Sequence, residues 1–598
     1  MTVPESYVRR LESEIAQLRQ PSRDSQRVVT QASCQLTTPS SNGTPEQTLQ
    51  ERLIENSTTE HFVHRLKGVY SNSTQENSGT SPFPTTPTPD VNEFHDNEIQ
   101  STASKYTYIP LEDDNSRPKV FVKFPPHSYS LYLLGQFESF MGSDYHWYRK
   151  KRFRARIDSL YDPSQSQKID RTWLCCFSVV LALGESYNDT VSPSFLVDNR
   201  TGISTNDTAT ATFDQVTHPG IELFKQGLLL LRPSYEEPTI EQVEALNLIT
   251  FYCYSLNRRR TAYAYAGMAL RLANLLALSE PQTHMSPSEQ EHRKRVWWTT
   301  ICMDAMTCIE LSLTPAHALN DDRIEFPDSS RLSTEDGEEF SDSQYLTAQI
   351  KLCRIKYHIV KTVSELRFGS PGEAQALIDP CLQALDNWRL EFLPTLEFTE
   401  EGGFSDETLA FPPMRTTASL LLRHNQCYIL LLRPLLLKQL HDLVHENGAS
   451  MPRDDFASTN TQCLQAATNS TLIQFALSKC HKIAKFGFWE SLHIFSSLTV
   501  HIISRCLIAK RPSAFATVRE NIPYGPVRSL LGEMARVGNA ASKDHERMIH
   551  DIENLFTETP FNTGLTEGIE DLVDWPEYMN TDNVAFGFDD TFPSFGWS

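Results

Sequence analysis

The chain is expected to fold as an all-α protein with polar, irregular flanks, and three features of its 598 residues carry that expectation. From about Lys119 to Ile552 apolar residues recur at helical spacing, and strand-like alternation is scarce. Helix start signals stand where that pattern requires them. In Ser286-Pro287-x-Glu289, for example, an N-cap, a first-position proline and a capping-box acid follow one another. Polar or Gly/Pro-rich breaks at 189–214, 325–342, 397–411 and 447–461 divide the periodic region into segments.

Taken in order, residues 1–20 open with the capping box Thr2-x-x-Glu5 and place Val8, Leu11, Ile15 and Leu18 at coiled-coil a and d spacing before Pro21. Two heptads are marginal alone, so this helix reads either as a fragment of a longer zipper or as a dimerisation element that a partner stabilises, the bland alternative being a terminal helix with no partner. Residues 21–115 are rich in Ser, Thr, Asn, Gln and Pro and bury too little apolar area to offset ordering entropy, which predicts a disordered linker. The helical domain is expected over 119–545. Its helices are predicted at 129–140, 171–183, 220–231, 240–256, 260–276, 287–311, 343–366, 378–390, 416–444, 462–485 and 492–509.

The last segment, 551–598, has no lysine or arginine. It interleaves acids such as Asp571, Asp574, Asp589 and Asp590 with Trp575, Tyr578, Phe586, Phe588, Phe592, Phe595 and Trp597. Charge of one sign keeps those rings from collapsing and leaves them free to dock into a partner's apolar groove, the composition of an acidic activation tail that meets a co-activator.

Composition narrows the function classes. The chain carries 75 acidic and 54 basic residues, a formal charge of −21, which opposes gripping phosphate along its length. Its one dense basic run, Arg149, Lys150, Lys151, Arg152, Phe153, Arg154, Ala155, Arg156, reads either as a nuclear-import patch or as the solvated face of a helix that turns Trp147, Phe153 and Ile157 inward. No run approaches the ~18 uninterrupted apolar residues of a membrane span; the nearest, Leu420 to Leu437, is broken by Arg423, His424, Arg433 and Pro434, so no membrane partner is expected.

Catalytic and metal motifs were sought residue by residue. The sequence contains no G-x-S-x-G, G-x-x-x-x-G-K-[ST] or G-x-G-x-x-G, and its 12 cysteines include no C-x2-C pair. His441 and His445 share a helix face but no third ligand can be assigned to them, and His493 and His501 lie about 12 Å apart along a helix. No catalytic residue, metal site or cofactor is therefore expected in the chain, which is read as not an enzyme.

The most informative stretch is 258–327. Ala-Gly-Met-Ala-Leu-Arg-Leu-Ala, with Gly267 and Arg271, comes first, its small residues expected to admit a close neighbour. Next come Glu291, Arg293 and Arg295 before Trp297-Trp298, then Asp304 on the same helix, then Asp321-Asp-Arg-Ile-Glu-Phe-Pro327. The two tryptophans point about 100° apart, so one can enter the core while the other supports a loop, and Arg293 or Arg295 can pair with Asp304 or the 321–322 loop. A structural role is expected for all of them. In their order and spacing these segments resemble the middle homology region of the fungal-specific transcription factor family, most specifically over 129–327. Ala182-Leu-Gly184 and Tyr428-Ile-Leu-Leu-Leu-Arg-Pro434 agree with it.

The resemblance implies a nuclear transcriptional regulator of RNA polymerase II genes. Members of that family normally carry an N-terminal zinc cluster of six cysteines, whereas only Cys34 falls in the first 174 residues here. Pro4 to Glu12 resembles the linker and helix that follow such a cluster, so the sequence is expected to begin just after a DNA-binding module. Zinc and DNA then enter only through that module or through a partner protein. A cluster-free module that heterodimerises with zinc-cluster regulators stays open as the alternative.

Overall fold

The computed structural model describes residues 121–162, 164, 170–187, 218–232, 235–281, 285–317, 324–366, 371–392, 412–445, 456–516 and 522–558. The expected dimerisation residues Val8, Leu11, Ile15 and Leu18, the linker, Asp321 and the seven tail aromatics lie outside them. Among the described residues there are 15 α-helices and no strand, the all-α fold that the periodicity predicts.

The helices are α1 His127–Met141, α2 Lys150–Tyr161, α3 Arg171–Ser186, α4 Ile221–Leu230, α5 Ile240–Ser255, α6 Arg259–Leu275, α7 Pro287–Glu310 and the single turn α8 Thr334–Gly337. They continue with α9 Ser343–Glu365, α10 Pro371–Phe392, α11 Pro412–His445, α12 Ala457–Lys479, α13 Phe488–Lys510, α14 Tyr524–Arg536 and α15 Ala540–Glu558. Most pack on chain neighbours, as α3 on α4, α5 on α6, α6 on α7, α11 on α12 and α12 on α13.

Local chemistry sets the ends. Ser286 caps α7 by accepting from Glu289 N, and Thr239 and Gln242 close a reciprocal capping box at α5. At their C-termini α5, α6, α7, α12 and α14 each turn through a residue of positive φ: Asn257, Ala277, Ser312, His481 and Gly538. In each turn the following amide bonds back to a carbonyl five residues earlier, as Lys482 N does to Leu477 O at 2.9 Å, so orphan carbonyls are satisfied. Helix α12 therefore stops at Lys479, short of the expected 485.

The region extends further than expected at its C-terminal end. Helix α15 runs past 545 and takes 551–558 out of the anticipated tail. Ile549 and Ile552 pack with Val527, Leu531 and Met534 of α14, and Arg528 bridges Glu546 and Glu553 at 3.2 and 3.3 Å.

Three apolar clusters fill the domain. The first gathers α1 to α7 around Leu133, Phe177, Ile249 and Trp297; the second joins α9 to α13 around Ile359, Leu385 and Leu431; the third joins α11 to α15 around Leu498 and Leu531. Gly184 lets α3 touch α1, because a Cβ there would meet Leu133 O at 2.2 Å. Gly267 does not do this for α6: a Cβ would meet nothing within 4 Å, and the buried face of that helix is Ala262, Ala266, Ala269 and Ala273.

The helix nearest to membrane-spanning composition is α13, not the 420–437 run. It is the middle of a bundle, packed against α11, α12, α14 and α15, and its buried polar residues bond inside the protein, His501 to Thr471 at 3.1 Å and Ser491 to His545 at 2.8 Å.

Candidate functional site

Helix α7 carries most of the motif residues, and each of its faces fastens a different element. Its sequence is hydrophobic all round only in its second half, so its first half must satisfy charge inside the domain. Arg295, 1% exposed, donates from Nε to Glu291 Oε1 at 2.6 Å, from Nη1 to Ser341 O at 2.6 Å and from Nη2 to Ser329 Oγ at 2.9 Å, with its guanidinium over Phe340. The same Glu291 oxygen accepts from Asp328 N at 3.0 Å. One buried pair thus pins the 328–341 stretch, ahead of α9, at both of its ends. A guanidinium suits this work because its planar fork serves three acceptors at once.

Trp298 donates from Nε1 to Glu325 O at 2.9 Å and stacks on Phe326, while Arg354 of α9 lies over its indole. Trp297 is fully buried in the first core, edge-on to His317. One ring in the core and one beneath a loop is the division that the 100° offset predicts. Pro327 is buried in the same loop.

Other expected contacts are replaced. Arg293 donates to Leu276 O and Ala277 O at 2.6 and 3.1 Å, closing the C-terminus of α6 where the helix dipole favours a cation. Asp304 accepts from Ala316 N at 3.1 Å, and burial pushes its carboxyl up. Neither arginine reaches it: Asp304 lies nine residues beyond Arg295, roughly 13 Å along the helix axis. Arg271 is exposed on α6 and takes no part in these contacts.

The basic run forms α2, with Trp147, Phe153 and Ile157 buried as the inward-facing reading requires. Its charges are largely engaged at home. Arg149 pairs with Glu289 at 3.0 Å, Lys151 with Glu338 at 2.8 Å and Arg154 with Glu138, while Arg156 covers the Trp173 ring. Glu339 Oε2 accepts from the amides of Lys151 and Arg152, where α2 has no capping side chain of its own.

Beneath that helix lies a group that the motif search missed. His146, Glu244 and His292 come from the loop before α2, from α5 and from α7, and their donor atoms lie within 4.8 Å of one another. His146 Nε2 is 2.9 Å from His292 Nδ1, and His292 Nε2 is 3.6 Å from Glu244 Oε1. All three are buried, which pushes both imidazoles well below their ordinary range and the carboxyl well above its own. Sequence spacing of 98 and 48 residues hides such a group, since only the fold brings it together. The histidines that spacing did single out stay apart: His441 is exposed beside Asp442, the His445 side chain is outside the described residues, and His493 and His501 are core histidines.

All 11 described cysteines are free thiols, most of them buried. A cleft of about 260 Å³ opens beside α7 between Pro281, Arg293, Glu325 and Arg331, lined by charges of both signs.

A family model of the fungal specific transcription factor domain matches residues 191–390, a range that contains α7 and its latches. The chain carries a fungal specific transcription factor domain. The matched range overlaps the 129–327 stretch and lies inside the helical region expected over 119–545, leaving Ala182-Leu-Gly184 before it and taking in α9 and most of α10. An uncharacterized transcriptional regulatory protein of Schizosaccharomyces pombe is 23% identical over 450 residues, 74% of this chain and 52% of the relative. The fusaridione A cluster transcription factor of Fusarium heterosporum is 30% identical over 164 residues, 26% of this chain and 31% of that protein. The thiamine repressible genes regulatory protein of Schizosaccharomyces pombe is 22% identical over 182 residues, 30% of this chain and 21% of its own length. The chain thus spans about half, or less, of the curated relatives it matches. No solved structure matches it.

Proposed function

We propose that this chain is a nuclear regulator of RNA polymerase II transcription whose helical domain is the regulatory core, not a catalytic one. In this reading residues 1–20 dimerise through Val8, Leu11, Ile15 and Leu18, and the aromatics from Trp575 to Trp597 engage a co-activator. DNA is reached through a zinc-cluster module outside this sequence or through a partner that carries one. The observation that carries the reading is the match of residues 191–390 to the fungal specific transcription factor domain, and similarity to relatives named as transcription regulators supports it. The basic run contributes little to import in this reading, because Arg149, Lys151 and Arg154 are held by acids of the same domain.

The whole chain fused to a heterologous DNA-binding domain tests the proposal on a reporter. Expression should rise, and replacing the seven tail aromatics by Ala should silence it, whereas Asp→Asn changes at 571, 574, 589 and 590 should weaken it in a graded way. Unchanged reporter output from the fusion would overturn a direct regulatory role. Output that depends on a co-expressed zinc-cluster protein would select the heterodimerising module instead.

A further inference from the structure

We infer that His146, Glu244 and His292 form a structural metal site for a divalent transition ion, zinc by its donor set, that clamps the loop before α2 to α5 and α7. The inference goes beyond the regulatory reading and is independent of how the chain meets DNA. Two imidazoles and one carboxylate are an established donor set for zinc, with bonds of about 2.0 to 2.2 Å that place neighbouring donors roughly 3.3 Å apart on a tetrahedron. One donor atom from each residue lies within 4.8 Å of the others, so modest ring shifts would bring them to that spacing; His146 Nε2 stands 2.9 Å from His292 Nδ1, and Glu244 Oε1 stands 3.6 Å from the other nitrogen of that ring.

His146 and His292 stand within hydrogen-bond distance of each other, whereas Glu244 lies outside that bond. At 3.6 Å the His292–Glu244 contact is too long for a hydrogen bond, and Glu244 has no lysine or arginine within ion-pair distance among the described residues. A buried carboxylate without such a partner is costly unless it takes up a proton or a metal. An ion bound there would take the place of any proton shared among the three groups. Of the arginines whose charge acts on the group, Arg149 at the N-cap of α2 is paired with Glu289 at 3.0 Å, while Arg152, Arg156 and Arg293 are the charges a bound dication would have to tolerate. His146 is held in place by its own backbone amide, which donates to Thr299 Oγ1 at 3.1 Å, and its ring packs on Phe340. The donors come from three elements, so the ion would enter as the domain folds.

The experiment uses the full chain. Metal content is measured after purification, the protein is stripped with chelator, and zinc or cobalt is titrated back while thermal unfolding and visible absorption are followed. One zinc per chain is expected, with a melting temperature that falls by a few degrees on stripping and returns with zinc. Cobalt should give the intense d–d bands of a four-coordinate nitrogen and oxygen site. Glu244→Gln and His292→Asn should lose the ion, and His441→Asn should keep it. Stripped wild-type protein that binds neither ion, with unmoved melting temperature and no cobalt bands, would overturn the proposal whether or not the variants fold. Stoichiometric metal retained by both site variants would overturn it equally, placing the ion elsewhere.

Discussion

Helix α7 and helix α11 are both buried along most of their length, yet different chemistry holds them. On α7 the buried set includes Glu291, His292, Arg295, Thr299, Thr300 and Asp304, and each of them faces a named group on another element or one turn away. On α11 the buried ion pairs lie in its first part, where Arg415 pairs with Glu490 and Arg423 with Asp144, and the later charges Lys438 and Asp442 pair with each other on a more open face. Between these two stretches Ile429, Leu431, Leu432, Leu435 and Leu436 fill the second core. Directional contacts tolerate few replacements, because a lost partner leaves a buried charge unpaired. Aliphatic packing asks mainly for volume, so neighbouring side chains can trade shape. The first arrangement leaves a readable motif in the sequence and the second leaves a periodicity.

The contrast can be broken or sharpened by substitution. Trp297→Ala removes the largest fully buried ring of the first core and should cost about 3 to 5 kcal/mol by chemical denaturation, with loss of folded protein in cells. Unchanged stability with lost regulation would instead give that tryptophan a ligand or partner role. In the second core, Leu431→Ala should cost about 2 to 5 kcal/mol, but Leu431→Met less than about 1.5 kcal/mol, since volume is what that site requires. Equal penalties from the two replacements would show that α11 is as exacting as α7.

Acid should act on α11 and the helices packed with it through buried histidines. Burial pushes His424, on α11, and His501 and His545, around α13, down to about 4. Their unfolded value is near 6.5, so between about pH 6.5 and 4 the unfolded chain binds more protons and stability falls as pH falls. Below about 4 these groups add no further loss. His501→Asn, followed by denaturation at several pH values, should flatten that slope by up to about 1.4 kcal/mol per pH unit; an unchanged slope would mean that His501 is already charged when folded. The smallest effect is expected at Gly267, whose open surroundings make Gly267→Ala stabilising by about 0.5 to 1 kcal/mol in a thermal melt. A loss there would restore the close approach that the small-residue pattern suggested.

How much of this was legible follows from what each feature depends on. Helix periodicity and caps are local, so α5 is placed within a residue by its apolar pattern and α7 by its Ser286 cap. The end of α12 was misplaced because its left-handed turn uses His481 where glycine is the usual sign. Helices α14 and α15 were not resolved as separate elements, although Ile549 and Ile552 already carried the apolar stripe of the second. The tryptophan pair was readable from its angular offset. The partners of Arg295 were not, because Ser329 and Ser341 lie 34 and 46 residues away in a segment without periodicity. The His146–Glu244–His292 group was invisible for the same reason: its members are adjacent only after one loop and two helices have packed.

The buried Glu291–Arg295 pair as the latch of the 325–341 segment is tested most directly by a double-mutant cycle. Unfolding free energies of the native chain, Glu291→Gln, Arg295→Met and the double variant should give a coupling of about 2 kcal/mol, each single change costing more than its share because it strands the other group. Single effects that add to within about 0.5 kcal/mol would contradict the latch and leave α7 held by its tryptophans alone.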